Sequence, residues 1–246
     1  MHLSTAEIER YERDGFLVIE EVLTAAECAE LDRATDEVLA EVRAEATAAG
    51  KSPDEVLAAG VYVGLSLKSE AFRRLAREPR LLDPLESLWG PDIGFLSDKI
   101  VFKSHEVEFG SPWHQDWAYW QGSHKISIWI PLADATPENG CLMLVPGSHR
   151  QVFEHDQIKD AGTKGGFGNR LDLVSLGLPH EPVTVPLKAG SAVLFHDLTL
   201  HASLPNTSGE PRRAVIVTYR NLAEEDLEYP SLAAAARVRG RAPAGT

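Results

Sequence analysis

Hydrophobic and polar residues follow two different periods along this chain, and the change falls near residue 93. Before it, apolar residues recur at helical spacing. A capping-box pattern over 24–27 is followed by one such stripe, which contains Cys28, Leu31, Thr35, Val38, Leu39 and Val42. A second capping box begins at Ser4, and a short β-branched run follows over 16–19. The pattern predicts a mostly helical N-terminal part over about 1–92, with one short strand inside it.

From about residue 93 the apolar residues recur at every second position, in short runs separated by Gly, Pro, Asn and Asp. These runs cover 100–108, 125–130, 141–145, 183–187, 192–195 and 214–219. Many short strands without helical patterns between them are typical of an antiparallel sandwich, barrel or jelly roll. We therefore predict a mainly β core over about 93–222.

Two segments interrupt or follow this core. Residues 147–182 are rich in Gly, Asn, His and charged side chains, and a loop of that length in a compact domain is usually a lid or a binding loop. Residues 223–246 form a C-terminal tail, whose last ten residues we expect to be frayed. The whole chain, 1–246, is predicted to be a single domain.

Charge and cysteine content narrow the choice of partners. The 24 basic and 37 acidic residues give a net charge of −13, and so acidic a surface repels nucleic acid and anionic lipid. Cys28 and Cys141 have neither zinc-site nor disulfide-framework spacing. Because the N-terminus lacks a signal-peptide pattern and no long apolar run occurs, we expect a cytoplasmic protein that contacts neither nucleic acid nor a membrane.

The densest chemical signal is the segment Trp113-His114-Gln115-Asp116. On a strand, residues two apart point to the same face, so His114 and Asp116 can direct an imidazole and a carboxylate to one point. A third ligand would complete the two-His-one-carboxylate triad that holds iron(II) and leaves three positions open. On this segment alone, a surface histidine near an aspartate is the simpler interpretation.

A second candidate ligand, His201, lies in the segment 198–203, and Arg212 follows eleven residues later at the start of the next apolar run. We expect the strand that carries His201 to be joined to that next strand by a hairpin-like connection over 205–209. This would place Arg212 near the metal but outside its coordination sphere, where a guanidinium can bind a carboxylate through two parallel hydrogen bonds. Arg213 would face the opposite side of the strand and form a structural salt bridge.

Several segments together resemble one known family. They are 9–18, 113–116, 139–149, 195–203 and 212–214, which span the chain from residue 9 to about 220. In this order they resemble the phytanoyl-CoA dioxygenase family of iron(II)- and 2-oxoglutarate-dependent oxygenases. The resemblance implies a double-stranded β-helix core of the jelly-roll, cupin-like type, with the N-terminal helices packed outside. It also implies Fe(II) as cofactor, and 2-oxoglutarate and O2 as co-substrates.

The resemblance also assigns roles to individual residues. The positions that match the iron ligands are His114, Asp116 and His201. The positions that match the 2-oxoglutarate pocket are Arg212, Ser203, Trp129 and Lys103. His196 is the alternative distal histidine, but the step of eleven residues to Arg212 favours His201. The aromatic residues that depart in detail from the family pattern, and that we expect near the prime substrate, are Trp117, Tyr119 and Trp120.

The predicted activity is the oxidation, by hydroxylation in the first instance, of an unactivated C–H bond of a small metabolite, with release of succinate and CO2. Desaturation, epimerisation and cyclisation start from the same chemistry and stay open at this point, as does the oligomeric state. The alternative is a non-redox, cupin-like isomerase, hydrolase or sensor, which would keep the metal ligands but has no need of Arg212 and Ser203. A catalytically silent interaction module would be expected to lose a ligand.

Overall fold

Two antiparallel β-sheets enclose the interior of the protein, and helices cover the outer face of the larger sheet. The computed structural model describes residues 1–53, 57, 60–103, 110–120, 122–157, 169–176, 178, 180–224 and 236–240. Its strands are β1 (Phe16–Ile19), β2 (Val61–Val63), β3 (Ile93–Lys103), β4 (Ser111–His114), β5 (Lys125–Pro131), β6 (Leu142–Leu144), β7 (Asp156–Gln157), β8 (Asn169–Arg170), β9 (Val183–Val185), β10 (Ala192–His196), β11 (His201–Ser203), β12 (Arg212–Asn221) and β13 (Ala236–Arg239).

The helices are α1 (Thr5–Asp14), α2 (Ala25–Ala48), α3 (Leu65–Lys68), α4 (Glu70–Leu75), α5 (Pro79–Trp89) and α6 (Trp117–Trp120), with 3-10 turns at Ser148–Arg150 and Leu173–Leu176. Both predicted capping boxes are formed. At the start of α2, for example, the Glu27 carboxylate accepts the Thr24 backbone N–H at 2.7 Å, which satisfies one free amide of the helix start. No helix among the described residues is both long enough and apolar enough to cross a membrane.

The larger sheet has the strand order β1-β10-β5-β12-β3-β13, with β2 also paired to β3, and the smaller has the order β4-β11-β6-β9. The two faces of the larger sheet are buried in different ways. On β12, Val215 and Val217 pack in the cluster that contains the helices, while Ala214 and Ile216 face the smaller sheet. Consecutive strands such as β10, β11 and β12 alternate between the sheets, which is the jelly-roll arrangement that the resemblance implies.

The alternation of side chains along β12 separates two neighbouring arginines. Arg212 is buried between the sheets, whereas Arg213 reaches the helical layer. There its guanidinium donates to Asp32 at 2.9 Å and to Asp36 at 2.7 Å on α2. The predicted structural salt bridge of Arg213 is therefore present, and the opposite facing of the two arginines is as expected from a strand.

The prediction of a hairpin between the strands that carry His201 and Arg212 is wrong. Strand β11 pairs with β4 and β6 in the smaller sheet, and β12 pairs with β3 and β5 in the larger one. The connection crosses from one sheet to the facing sheet, because successive strands of a jelly roll alternate between its two sheets. Arg212 consequently approaches the site from the sheet opposite His201.

The C-terminal tail is also more ordered than predicted. Residues 236–239 form strand β13, which pairs with β3 at the edge of the larger sheet. The Arg237 guanidinium bonds Asp92 and that of Arg239 bonds Glu86, so ion pairs hold the strand in place. Residues 225–235 and 241–246 lie outside the described part of the chain. Of the expected lid over 147–182, residues 158–168, 177 and 179 also lie outside it, and the lid role stays a prediction.

Candidate active site

A cavity of about 560 Å³ lies between the two sheets. Its walls are mostly apolar and include Val61, Val101, Trp129, Leu142, Phe195 and Ile216. The polar side chains that reach it include Lys99, His114, Asp116, His201, Ser203 and Arg212. A mostly apolar cavity with a few converging polar groups is the usual form of a small-molecule site.

Three predicted metal ligands meet at this cavity. His114, the last residue of β4, is the register partner of His201, the first residue of β11, and their rings are 4.2 Å apart. The Asp116 Oδ1 atom lies 3.6 Å from His114 Nε2 and 3.8 Å from His201 Nε2. Asp116 itself lies beyond the end of β4, in the turn before α6. The prediction that His114 and Asp116 share one face of a strand is therefore wrong, although their side chains converge.

Backbone carbonyls orient both imidazoles. The Nδ1 atom of His114 lies 2.7 Å from the Pro112 oxygen, and that of His201 lies 2.9 Å from the Thr199 oxygen. Because a carbonyl oxygen can only accept, each Nδ1 carries a proton, and each Nε2 faces the Asp116 carboxylate.

The pKa shifts of His201 and Asp116 suit metal binding. Burial, together with the neighbouring His114, lowers the pKa of His201 to about 3, which keeps its imidazole neutral. Burial opposes ionisation of Asp116, but the Lys99 cation and the hydrogen bond with His114 outweigh it and hold the pKa of Asp116 below its ordinary value. Two imidazoles and one carboxylate are a donor set that suits iron(II).

Gln115, between two of these residues in sequence, was not predicted to have a role. Its side-chain Nε2 donates to the backbone oxygens of Gln151 and Leu198 at 2.7 Å, and its Oε1 accepts the Phe153 N–H at 2.9 Å. A buried amide that bonds two remote segments positions the turn that carries Asp116. The signal in the sequence was a long polar side chain enclosed between two buried ligands.

Arg212 lies on the wall of the cavity and is only 1% exposed. Its Nη2 donates to the Gly140 oxygen and its Nε to the Asn139 oxygen, while the guanidinium carbon lies 5.3 Å from the ring centre of Trp129. Its Nη1 is buried without a hydrogen-bond partner among the described residues. Burial lowers the pKa of Arg212 to about 10, so the side chain stays charged at neutral pH. The carbonyls hold this cation in place and leave one donor for a ligand.

Ser203 and Lys103 lie beside Arg212, as the resemblance implies, but they differ in access to the cavity. Ser203 lines it and accepts hydrogen bonds from Lys103 Nζ at 2.8 Å and from the Ser111 N–H at 3.3 Å. Lys103 is fully buried behind Ser203 and also donates to the Leu204 oxygen. Burial and the neighbouring Arg212 lower the pKa of Lys103 to about 7.

The predicted substrate residues divide in a similar way. Tyr119 and Trp120 line the cavity, whereas Trp117 does not. Tyr119 stands edge-on to His114 with ring centres 6.1 Å apart, and the Trp120 indole donates to Asp197 at 3.2 Å.

His196, the alternative distal histidine, is not part of the triad. Its ring packs against His124 with centres 4.5 Å apart, and its Nδ1 lies 3.2 Å from Asp197 Oδ1. Lys99, which has no predicted role, also lines the cavity. The sequence contains a signal for this position. Lys99, Val101 and Lys103 alternate along one strand and therefore point to the same face of the sheet.

The fold and the site together define an iron(II)- and 2-oxoglutarate-dependent oxygenase: a jelly roll whose cavity presents two imidazoles, a carboxylate and a buried arginine with a free donor. A family model described as phytanoyl-CoA dioxygenase (PhyH) matches residues 11–214, and the chain belongs to that family.

Individual relatives agree with this assignment. The chain is 31% identical to an ectoine dioxygenase of Bordetella parapertussis, over 93% of this chain and 78% of the relative. It is 28% identical to an L-proline trans-4-hydroxylase of Streptomyces griseoviridis, over 87% of this chain and 85% of the relative. The crystal structure of the non-heme alpha-ketoglutarate-dependent epimerase SnoN from nogalamycin biosynthesis is similar, with a TM-score of 0.61 and 26% identity over 88% of this chain and 81% of that one.

Proposed function

We propose that this protein hydroxylates an unactivated C–H bond of a small metabolite, with conversion of 2-oxoglutarate and O2 to succinate and CO2. In this proposal His114, Asp116 and His201 hold the iron, and Arg212 binds the distal carboxylate of 2-oxoglutarate. The observation that carries the proposal is the buried Nη1 of Arg212, which has no partner among the described residues and belongs to a side chain that lines the same cavity as the three ligand side chains.

Each part of the cavity has a separate task in this reaction. When bound, iron(II) with 2-oxoglutarate supplies the activation of dioxygen. His114, Asp116 and His201 would hold the ion and leave part of its coordination sphere to the co-substrate and oxygen. Ser203 and Trp129 flank the carboxylate position at Arg212, and Lys103 holds Ser203 from behind. The apolar walls exclude water from the reacting centre.

The non-redox alternative explains the site less well. An isomerase, hydrolase or sensor needs the metal ligands but has no use for a buried cation with a free donor next to them. The likeness to a proline hydroxylase supports hydroxylation, and the likeness to an epimerase makes epimerisation the second outcome to test.

The partner of the site is a small molecule, and the cavity volume suits one. We also propose that 1–246 is one domain, with 147–182 as a lid over the cavity. A cytoplasmic location, and the absence of nucleic-acid and membrane partners, stay predictions of the sequence.

The test is an anaerobic titration of the protein with iron(II) and then 2-oxoglutarate, followed by visible absorption. Chelation of the iron by the 2-oxo acid is expected to give a weak charge-transfer band, and His201→Ala should abolish it. Succinate release in air, stimulated by a candidate metabolite, then distinguishes turnover from binding. Wild-type protein that binds iron but shows no band with 2-oxoglutarate would contradict the proposal.

A further inference from the structure

Lys99 is a cation on the cavity wall for which the proposed reaction has assigned no task. It lies on β3 between Val63 of β2 and Ile216 of β12, its register partners on either side. Both neighbours are apolar, and the Lys99 ammonium has no hydrogen bond or ion pair within the described part of the chain. An ammonium that faces a mostly apolar cavity and forms no ion pair there can bind an anionic ligand.

The position of Lys99 separates it from the co-substrate end of the cavity. Arg212 and Lys103, at that end, are almost completely buried, whereas Lys99 is half-buried and its neighbour Val63 is 58% exposed. Lys99 therefore lies toward the mouth of the cavity, where a prime substrate enters. It still lines the same cavity as His114, Asp116 and His201.

The charges that line the cavity lead to the same conclusion. Among the described lining residues Asp116 is the only carboxylate, and Arg212 and Lys99 are the permanent cations. A divalent iron and doubly negative 2-oxoglutarate, added to these three side chains, leave one positive charge unmatched. A monoanionic substrate would neutralise it in a region where water is scarce.

We propose that Lys99 binds a carboxylate of the prime substrate and thereby selects for carboxylic acids. This inference rests on the function proposed above and names the substrate class of that site. The apolar neighbours of Lys99 would contact the remainder of such a molecule.

The experiment compares hexanoate with hexanamide, which differ in charge but little in shape. Their dissociation constants are measured by calorimetry, without oxygen, on protein loaded with iron(II) and saturating 2-oxoglutarate. The variants are Lys99→Met, which removes the charge but keeps the length, and Lys99→Arg, which keeps the charge. Lys188→Met is the matched control, because Lys188 is an exposed lysine paired with Asp134 and does not line the cavity.

Wild-type protein and Lys188→Met should bind hexanoate about ten- to a hundredfold more tightly than hexanamide. Lys99→Met should reduce this ratio to about twofold or less, and Lys99→Arg should retain most of it. A wild-type protein without the preference, or a Lys99→Met variant that keeps it, would overturn the proposal. A loss of about tenfold or more in 2-oxoglutarate affinity in Lys99→Met would overturn it too, by assigning Lys99 to the co-substrate. Failure of the proposed function is distinguishable, since the visible band would then be absent from the wild type.

Discussion

Replacement of Arg212 by alanine tests the co-substrate site most directly. One donor of this guanidinium, Nη1, is free for a ligand, and a hydrogen bond between charged groups contributes about 1.5–3 kcal/mol. Since about 1.4 kcal/mol corresponds to a factor of ten, Arg212→Ala should raise the dissociation constant of 2-oxoglutarate by about ten- to 150-fold. The dissociation constant of Arg212→Lys should lie between those of the wild type and Arg212→Ala, because lysine keeps the charge but lacks the planar guanidinium.

The assay is the anaerobic titration with 2-oxoglutarate on iron-loaded protein, with metal affinity measured separately. Metal binding should change little, because Arg212 contacts none of the three ligand side chains through a hydrogen bond or ion pair. The variant should also melt at a lower temperature, because the carbonyls of Gly140 and Asn139 lose a buried donor.

Arg213→Ala is the matched control, since Arg213 is adjacent in sequence but bonded to Asp32 and Asp36 on the outer face of the sheet. It should keep normal 2-oxoglutarate affinity and lose no more than about 1 kcal/mol of stability. If Arg213→Ala weakened 2-oxoglutarate binding while Arg212→Ala left it unchanged, the assignment of the two strand faces would be refuted.

Three further predictions concern the metal ligand Asp116, the glycine whose backbone oxygen accepts from Arg212, and the first turn of α2. Asp116→Asn should weaken iron(II) binding by more than about a hundredfold in a chelator competition, and unchanged affinity would remove Asp116 from the ligand set. Gly140 has φ +82° and its missing Cβ would meet the Leu204 oxygen, so Gly140→Ala should cost about 1–3 kcal/mol in denaturant unfolding and also weaken 2-oxoglutarate binding. Hydrogen bonds from Arg80 and from the backbone of Thr24 lower the pKa of Glu27 to about 2. This pKa lies below the value of about 4.3 that a glutamate has in the unfolded chain. The ionised Glu27 therefore stabilises the fold fully above about pH 4.3, and this stabilisation is lost as the pH falls toward 2. Glu27→Gln should therefore lower the melting temperature at pH 7, by an amount equivalent to about 1 kcal/mol, and have little effect near pH 2; an equal effect at both would contradict the assignment.

The local features of this protein could be predicted from the sequence because short-range rules govern them. Capping boxes satisfy the first amides of α1 and α2 with side chains three residues apart. Alternation along β12 decides that Arg212 and Arg213 face opposite ways. His114 and Asp116 are only two residues apart in sequence, so their side chains lie close together. The turn after β4, and not a shared strand face, directs them to one point.

Only the tertiary structure decided which strands meet. Apolar alternation gives a strand its two faces but does not say which sheet it joins, so in the sequence alone the crossing between β11 and β12 resembles a hairpin. The pairing of His201 with His114 in one sheet, and the approach of Arg212 from the other, depend on contacts between distant segments. Strand β13 likewise depends on pairing with β3 and on ion pairs to remote carboxylates.

Lys99 and Lys103 illustrate the same division. They lie on one face of β3, four residues apart, and the sequence predicts the same direction for both side chains. In the folded protein Lys103 is enclosed behind Ser203 and its pKa is lowered to about 7, whereas Lys99 lines the cavity near its mouth. The depth of a side chain depends on what the facing sheet and the neighbouring strands place over it, and no local pattern in the chain records that.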